Sequence, residues 1–245
     1  MASSDLPLLA LLHGAWHQAS SFDKLRPLLE EQGFEVICPA FISSNKTKQN
    51  PQATHLDDIA VVNEILLPLF DQGREVVLVG HSYGGIPAVG IAQGQSIEDR
   101  ATLGKKGGVR AIVFLSAVIL PQGGNLLPIA ERDFISIEGD WAIANDGARE
   151  VFYNGLPESE VDEMMSQLVP FSLACIKTPI DYSAGDLKIP MTYVLAELDQ
   201  ALVPPFQEAF AAGAPDVKMI RIQTGHSSML AMPKEISEII VKVAA

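Results

Sequence analysis

The chain has 245 residues, 48% apolar and 19% charged, the balance of a soluble globular protein with a sizeable core. Its formal charge of −13, from 17 basic and 30 acidic residues, excludes the basic footprint of a nucleic-acid or anionic-membrane partner. No apolar run approaches the roughly 18–20 residues that cross a bilayer, and the opening MASSDLPLLALLHG lacks the basic start and cleavage site of a signal peptide.

In chain order, PLLALLHG (7–14) reads as a buried strand, and 20–32 as a helix with Phe22, Leu25, Leu28 and Leu29 on one face. FEVICPA (34–40) is a second strand. Thr54, with Asp57 three residues on, has the spacing of a capping box before the periodic stretch 56–70. REVVLVG (74–80) is a third strand, followed by a helix over 84–94. VRAIVFLSAVI (109–119), IPMTYVLAE (189–197) and VKMIRIQTG (217–225) are the fourth, fifth and sixth, and an amphipathic helix over 233–243 ends the series. Near-continuous apolar strands alternating with helices predict an α/β fold: a mostly parallel six-stranded sheet with helices on both faces. Active groups in such sheets gather at the carboxyl ends of the strands. The alternation breaks over 121–187, a stretch rich in aromatic residues that contains the helix-like ESEVDEMMSQL. It reads as a helical lid inserted after the fourth strand of one domain spanning 1–245. Cys38 and Cys175 stand far apart without metal-ligand or redox spacing, the pattern of free thiols in a reducing compartment, so the cytoplasm is the expected location.

The chemistry concentrates at four strand ends. Gly80-His81-Ser82-Tyr83-Gly84 fits G-x-S-x-G in the strand–turn–helix setting that this motif requires, a sharp turn that lifts the Ser82 hydroxyl clear of the sheet. A serine is a poor nucleophile without a base. His226, in QTGHSSML on the loop after the last strand, is the base candidate. His81 lies inside the turn, His13 shapes the loop after the first strand, His17 is a pocket candidate, and His55 is expected on the surface at a helix start. The base in turn needs a carboxylate to fix its tautomer. LAELDQALVP after the fifth strand offers Glu197 and Asp199; Asp199, further along the loop, is the choice, with Glu197 the alternative. HGAW (13–16) after the first strand places the Ala15 N–H where, with that of Tyr83, it would form an oxyanion hole.

With these elements in place the sequence resembles the α/β-hydrolase superfamily. LLHGAWHQASSFDKLRPLLEEQGFEVICPAF, VVLVGHSYGG, LAELDQALVPPFQEAF and GHSSML are similar to its compact branch of plant methyl-ester esterases, hydroxynitrile lyases and their fungal relatives. The resemblance implies a Ser82–His226–Asp199 triad, oxyanion donors at Ala15 and Tyr83, no metal or organic cofactor, and dimers formed through the lid. Lyases of that branch carry a threonine at the position of Gly14 and a lysine at that of Ser227, so the sequence favours hydrolysis of a small ester or lactone. Carbon–carbon bond cleavage or polyketide processing by the same triad is the alternative enzyme reading, and a ligand-binding protein without turnover the non-enzymatic one. Gly14, Trp16, His17, Trp141, Phe152 and Tyr153 are the candidate substrate-binding residues, around a pocket suited to a small or aromatic acyl group.

Overall fold

Strand β1 (Leu8–Leu12) has every side chain buried, as LLALL requires of a strand covered on both faces. In the computed structural model, which describes residues 6–45 and 50–245, the chain continues through a 3-10 turn (Ala19–Phe22), α1 (Arg26–Glu31), β2 (Val36–Ile37), α2 (His55–Asp71) and β3 (Glu75–His81). There follow α3 (Gly85–Ala92), α4 (Ile97–Thr102) and β4 (Gly108–Leu115). Residues 1–5, part of the stretch read for a leader, lie outside the described residues. The insertion holds α5 (Leu127–Ala130), β5 (Ile135–Glu138), β6 (Trp141–Ala144), α6 (Ala148–Tyr153), α7 (Glu158–Gln167), β7 (Phe171–Ser172) and α8 (Leu173–Lys177). The chain then returns to the main sheet with β8 (Met191–Ala196), α9 (Pro204–Ala212), β9 (Lys218–Ile222), α10 (Ser228–Ala231) and α11 (Pro233–Ala244).

The main sheet has the order β2-β1-β3-β4-β8-β9, with every neighbouring pair parallel. The chain steps outward from β1 to β2 and then back across β1 to β3, so β1 and β3 diverge at a switch point. In open α/β sheets the crevice for ligands lies outside the carboxyl ends of such strands. Here those ends are the Leu12–Trp16 loop and the turn at Ser82. Helix α3 runs directly from that turn, and seven of its eight residues are buried, which fixes the turn between sheet and helix.

Local signals set several boundaries. Thr54 and Asp57 form the expected capping box: Thr54 N–H donates to Asp57 Oδ2 at 2.7 Å, and the Thr54 side chain accepts from the first turn of α2. β4 ends at Leu115 rather than 119 because Ser116 adopts φ 42°, turning the chain toward the turn at Ser82. β2 is only two residues long, an edge strand paired solely with β1.

The insertion departs from the helical expectation. Beside its helices it carries a three-stranded antiparallel sheet, β5-β6-β7. Glu138 pairs with Trp141 across the two-residue turn Gly139-Asp140, with Gly139 at φ 60°, the backbone that two-residue hairpins favour. The Gly-Asp pair between ISIE and WAIA is the local sign of that hairpin. His55, expected on the surface, is buried beneath the insertion with its ring 5.8 Å from that of Tyr182. Burial lowers its pKa.

Candidate active site

Ser82 sits at φ 53°, a left-handed conformation that costs an L-residue of order 1–3 kcal/mol and persists only where surrounding packing imposes it. The packing is visible around it. A Cβ on Gly84 would lie 2.2 Å from Leu12 O, one on Gly80 2.7 Å from Gly84 O, and one on Gly85 2.6 Å from Val118 O. β1, β3, α3 and the loop after β4 therefore meet backbone to backbone, and only glycine fits between them. Val118 N–H donates to Ser82 O at 2.9 Å and ties the turn to that loop. Ser82 remains half-buried, opening on a cavity of about 210 Å³.

His226 lines the same cavity. Its Nδ1–H donates to Asp199 Oδ2 at 2.8 Å, and both side chains are buried. Nε2 has no hydrogen-bond partner among the described residues, leaving it as the ring nitrogen available to take a proton. Asp199 is held from three further sides: Ala201 and Leu202 N–H donate to Oδ1 at 2.8 Å each, and Gln207 Nε2 to Oδ2 at 3.3 Å. Gln207, fully buried, also donates to Ala196 O and Leu202 O and accepts from Ala196 N–H, so it clamps the turn that carries the carboxylate. Glu197, the alternative acid, lies outside this arrangement, beside Arg221 and Gln223.

The loop after β1 is shaped by its histidines. His13 Nδ1–H donates to Gly14 O at 3.0 Å while its Nε2 accepts from Phe41 N–H at 3.3 Å, which fixes one tautomer. His17 N–H also donates to Gly14 O. Two donors thus polarise the Gly14–Ala15 peptide, whose N–H belongs to Ala15, and hydrogen bonds in series strengthen one another. His17 Nδ1–H donates to Ala15 O at 2.7 Å and its Nε2 accepts from Tyr153 O–H at 3.1 Å, joining this loop to the insertion. Trp16, at φ 63°, adds a second tie by donating from Nε1 to Ala142 O at 2.8 Å. Burial lowers His13 to about 4 and His17 to about 3, and drives His81 well below its ordinary value, so all three rings are neutral at pH 7. His81 turns away from the cavity and donates from Nε2 to His226 O at 3.1 Å, bracing the loop of the candidate base.

Beneath the nucleophile turn lies a polar cluster. Asp58, on α2 and fully buried, accepts from Ile42 N–H at 2.7 Å, Ser43 N–H at 3.0 Å, the Ser43 hydroxyl, and Tyr83 O–H at 2.6 Å. The Cys175 thiol donates to Tyr83 Oη at 3.1 Å. Burial raises Asp58 to about 6, opposed by the hydrogen bonds from Ser43, Tyr83 and Ile42. The cluster anchors the far end of Tyr83, whose backbone N–H follows Ser82 directly.

The structure brings Ser82, His226, Ala15 and Tyr83 to one cavity, with Trp16 and Phe152 in its wall. Gly14, His17, Trp141 and Tyr153 do not line it. A Cβ on Gly14 would press on the Ser82 Cβ and His81 Nδ1 at 3.2 Å, so Gly14 sits behind Ser82. His17 and Tyr153 are occupied with each other and border a separate small crevice. Trp141 is committed to the small sheet, opposite Glu138 and Ser172. From the insertion, sequence reading named Phe152 correctly but missed other wall residues, including Leu126, Arg132, Phe134 and Phe171, and it missed Phe206 and Phe210 from α9. It also missed Gln207 and Asp58. Among the described residues no cluster of His, Cys, Asp and Glu could hold a metal, and no helix is long and apolar enough to cross a membrane.

Comparison with known proteins agrees with this architecture. An alpha/beta hydrolase nvfD from Aspergillus novofumigatus is 27% identical over 93% of this chain and 92% of its own length. A carbendazim hydrolyzing esterase from a Nocardioides species is 24% identical over 93% of this chain and 96% of its own. The crystal structure of a pyrethroid hydrolase from Sphingobium faniae JZ-2 superposes with a TM-score of 0.74 at 21% identity, covering 97% of each chain, and shares the fold. A model of the alpha/beta hydrolase family matches residues 9–239, and the chain belongs to that family.

Proposed function

We propose that this protein is a serine esterase that cleaves a small carboxylic ester or lactone through an acyl-enzyme. The observation that carries the reading is the buried Asp199–His226 pair, 2.8 Å apart, with His226 opening on the cavity that Ser82, Ala15 and Tyr83 share. Asp199 fixes the Nδ1–H tautomer, so Nε2 takes the Ser82 proton as the hydroxyl attacks the ester carbonyl. The developing oxyanion is held by the Ala15 and Tyr83 N–H groups. His226 then protonates the leaving alcohol, and a water that it activates releases the acid and restores Ser82. General-base assistance is worth about 10²–10⁴-fold, and one oxyanion donor about 10²–10³-fold.

Several features support this reading. The cavity, at about 210 Å³, exceeds the roughly 150 Å³ of an apolar cavity that takes up benzene, room for an aromatic or short acyl group. The insertion acts as a lid whose wall residues contact that group. Ser227, where the resembled lyases carry a lysine, is buried and neutral and offers no cation for cyanide. The carbendazim esterase and the pyrethroid hydrolase are named for hydrolysis, which favours hydrolytic chemistry here. The free thiols of Cys38 and Cys175 suit a reducing compartment.

The experiment is hydrolysis of p-nitrophenyl acetate and butyrate by the native protein, Ser82→Ala and His226→Ala. Multiple turnovers lost in both variants are expected; turnover retained in Ser82→Ala would overturn the mechanism.

A further inference from the structure

Within the esterase reading, we propose that the substrate carries a carboxylate remote from the scissile ester bond and that Arg132 holds it. The sequence contains seven arginines, and six are paired with an acid in the structure. Arg26 meets Glu30 at 3.5 Å, Arg74 meets Glu35 at 2.8 Å, Arg100 meets Asp71 at 2.5 Å, and Arg110 meets Glu75 at 3.6 Å. Arg149 meets Asp162 at 2.8 Å and Arg221 meets Glu208 at 2.5 Å. Arg132 forms no ion pair among the described residues, and it is the arginine that lines the cavity. Glu131 and Asp133 flank it in sequence, yet both are exposed and neither pairs with it.

The surroundings give the guanidinium a purpose beyond surface solvation. It is half-buried, the one Arg, Lys, Asp or Glu side chain in a wall that, apart from Ser82 and His226, is built of apolar and aromatic groups. Its plane is supported by Phe134, with the guanidinium carbon 5.6 Å from the ring centroid. Of its five N–H donors, one makes a bond among the described residues, from Nη2 to Gln200 O at 3.3 Å. A guanidinium set against apolar walls binds a carboxylate through paired, charge-assisted hydrogen bonds, and poor local solvation strengthens them. The chain as a whole carries −13, which repels anions at a distance; a cation kept free inside the cavity is therefore selective for an anion that an apolar body has brought there. The competing role is a latch, in which Arg132 merely fastens the insertion to the loop at Gln200.

Paired esters separate the two roles. Monoethyl glutarate, adipate and suberate are each compared with the diethyl ester, and 4-acetoxybenzoate with its methyl ester, following acid release in a pH-stat. The native protein should prefer the free carboxylate in at least one pair by about tenfold or more in kcat/KM. Arg132→Met should abolish that preference through KM, Arg132→Lys should retain part of it, and added salt should weaken it in the native protein. Because a latch would lower both members of a pair together, the ratio within each variant is the readout. Calorimetry with Ser82→Ala measures binding of the same pairs without turnover. If the native protein hydrolyses none of the esters while Ser82→Ala binds the free acid in preference to its capped counterpart, the esterase reading fails and the carboxylate site stands. If neither turnover nor binding favours a free carboxylate, or if Arg132→Met keeps the preference, the Arg132 proposal is overturned.

Discussion

The nucleophile turn and the insertion use glycine in opposite ways. At the turn, a Cβ on Gly84 or Gly85 would come within 2.6 Å of a backbone oxygen from another segment, Leu12 O or Val118 O, and one on Gly80 within 2.7 Å of Gly84 O inside the turn itself. In the insertion, Gly123, Gly139 and Gly155 have positive φ and nothing within 4 Å of a Cβ. The glycines of the turn are required by close backbone approach, the three of the insertion by local turn conformation. The difference teaches where variation is tolerated. A side chain at Gly84 or Gly85 would have to displace a neighbouring segment, whereas cavity-lining residues of the insertion such as Arg132 and Phe134 can be exchanged without touching the turn.

Substitutions on each side sharpen that contrast. The largest effect is expected from Asp199→Asn, which leaves the buried packing in place but lets His226 take the wrong tautomer; kcat should fall by about 10⁴-fold, with KM for p-nitrophenyl butyrate moving far less. Gly84→Ala comes next. With Leu12 O at 2.2 Å it should lower stability by about 3 kcal/mol or more in urea titration, and equal stability to the native protein would refute the crowding argument. Tyr83→Phe removes a donor from Asp58 and the acceptor of the Cys175 thiol, at a cost of about 1–3 kcal/mol. The smallest change is Gly139→Ala, about 1–2 kcal/mol for the left-handed backbone alone, with esterase activity kept.

Stability should also fall as the solution is acidified. His13, His17 and His81 have folded-state pKa values lowered by burial, so their contribution is fully present above about pH 6.5 and is lost as pH falls toward about 4 for His13 and about 3 for His17. Asp58 acts in the other sense. Its folded pKa is raised to about 6 from the 3.8 of a free side chain, so its contribution is complete below 3.8 and disappears as pH rises through about 6. Three rings outweigh one carboxyl, and a Tm lower at pH 5 than at pH 7 is the expected outcome of a thermal scan. A Tm that rises on acidification would mean that the histidines are not buried neutral.

What the sequence made legible follows the same division. The strands β1, β3, β4 and β8 were readable because an apolar run covered on both faces is a strong local pattern, and Ser82 because its glycines encode a close approach. Asp199 was separable from Glu197 by its place on the loop, where it meets His226. Contacts between distant segments left no local trace. Asp58 and Gln207 look like ordinary helix residues until the fold places Tyr83 and Asp199 beside them. His55 sits at a capped helix start, and only Tyr182, far along the chain, buries it. Trp141 and Arg132 lie in an insertion of short elements, where strands of two to four residues give periodicity too few positions to act on.

The most direct test of the account is a stopped-flow record of p-nitrophenol release from p-nitrophenyl acetate at enzyme concentrations that resolve the first turnover. An acyl-enzyme on Ser82 predicts a burst of one p-nitrophenol per protein molecule followed by steady turnover, with a mass increase of one acetyl group located at Ser82 and absent from Ser82→Ala. Steady release that persists in Ser82→Ala, with no acetyl group at residue 82, would contradict it.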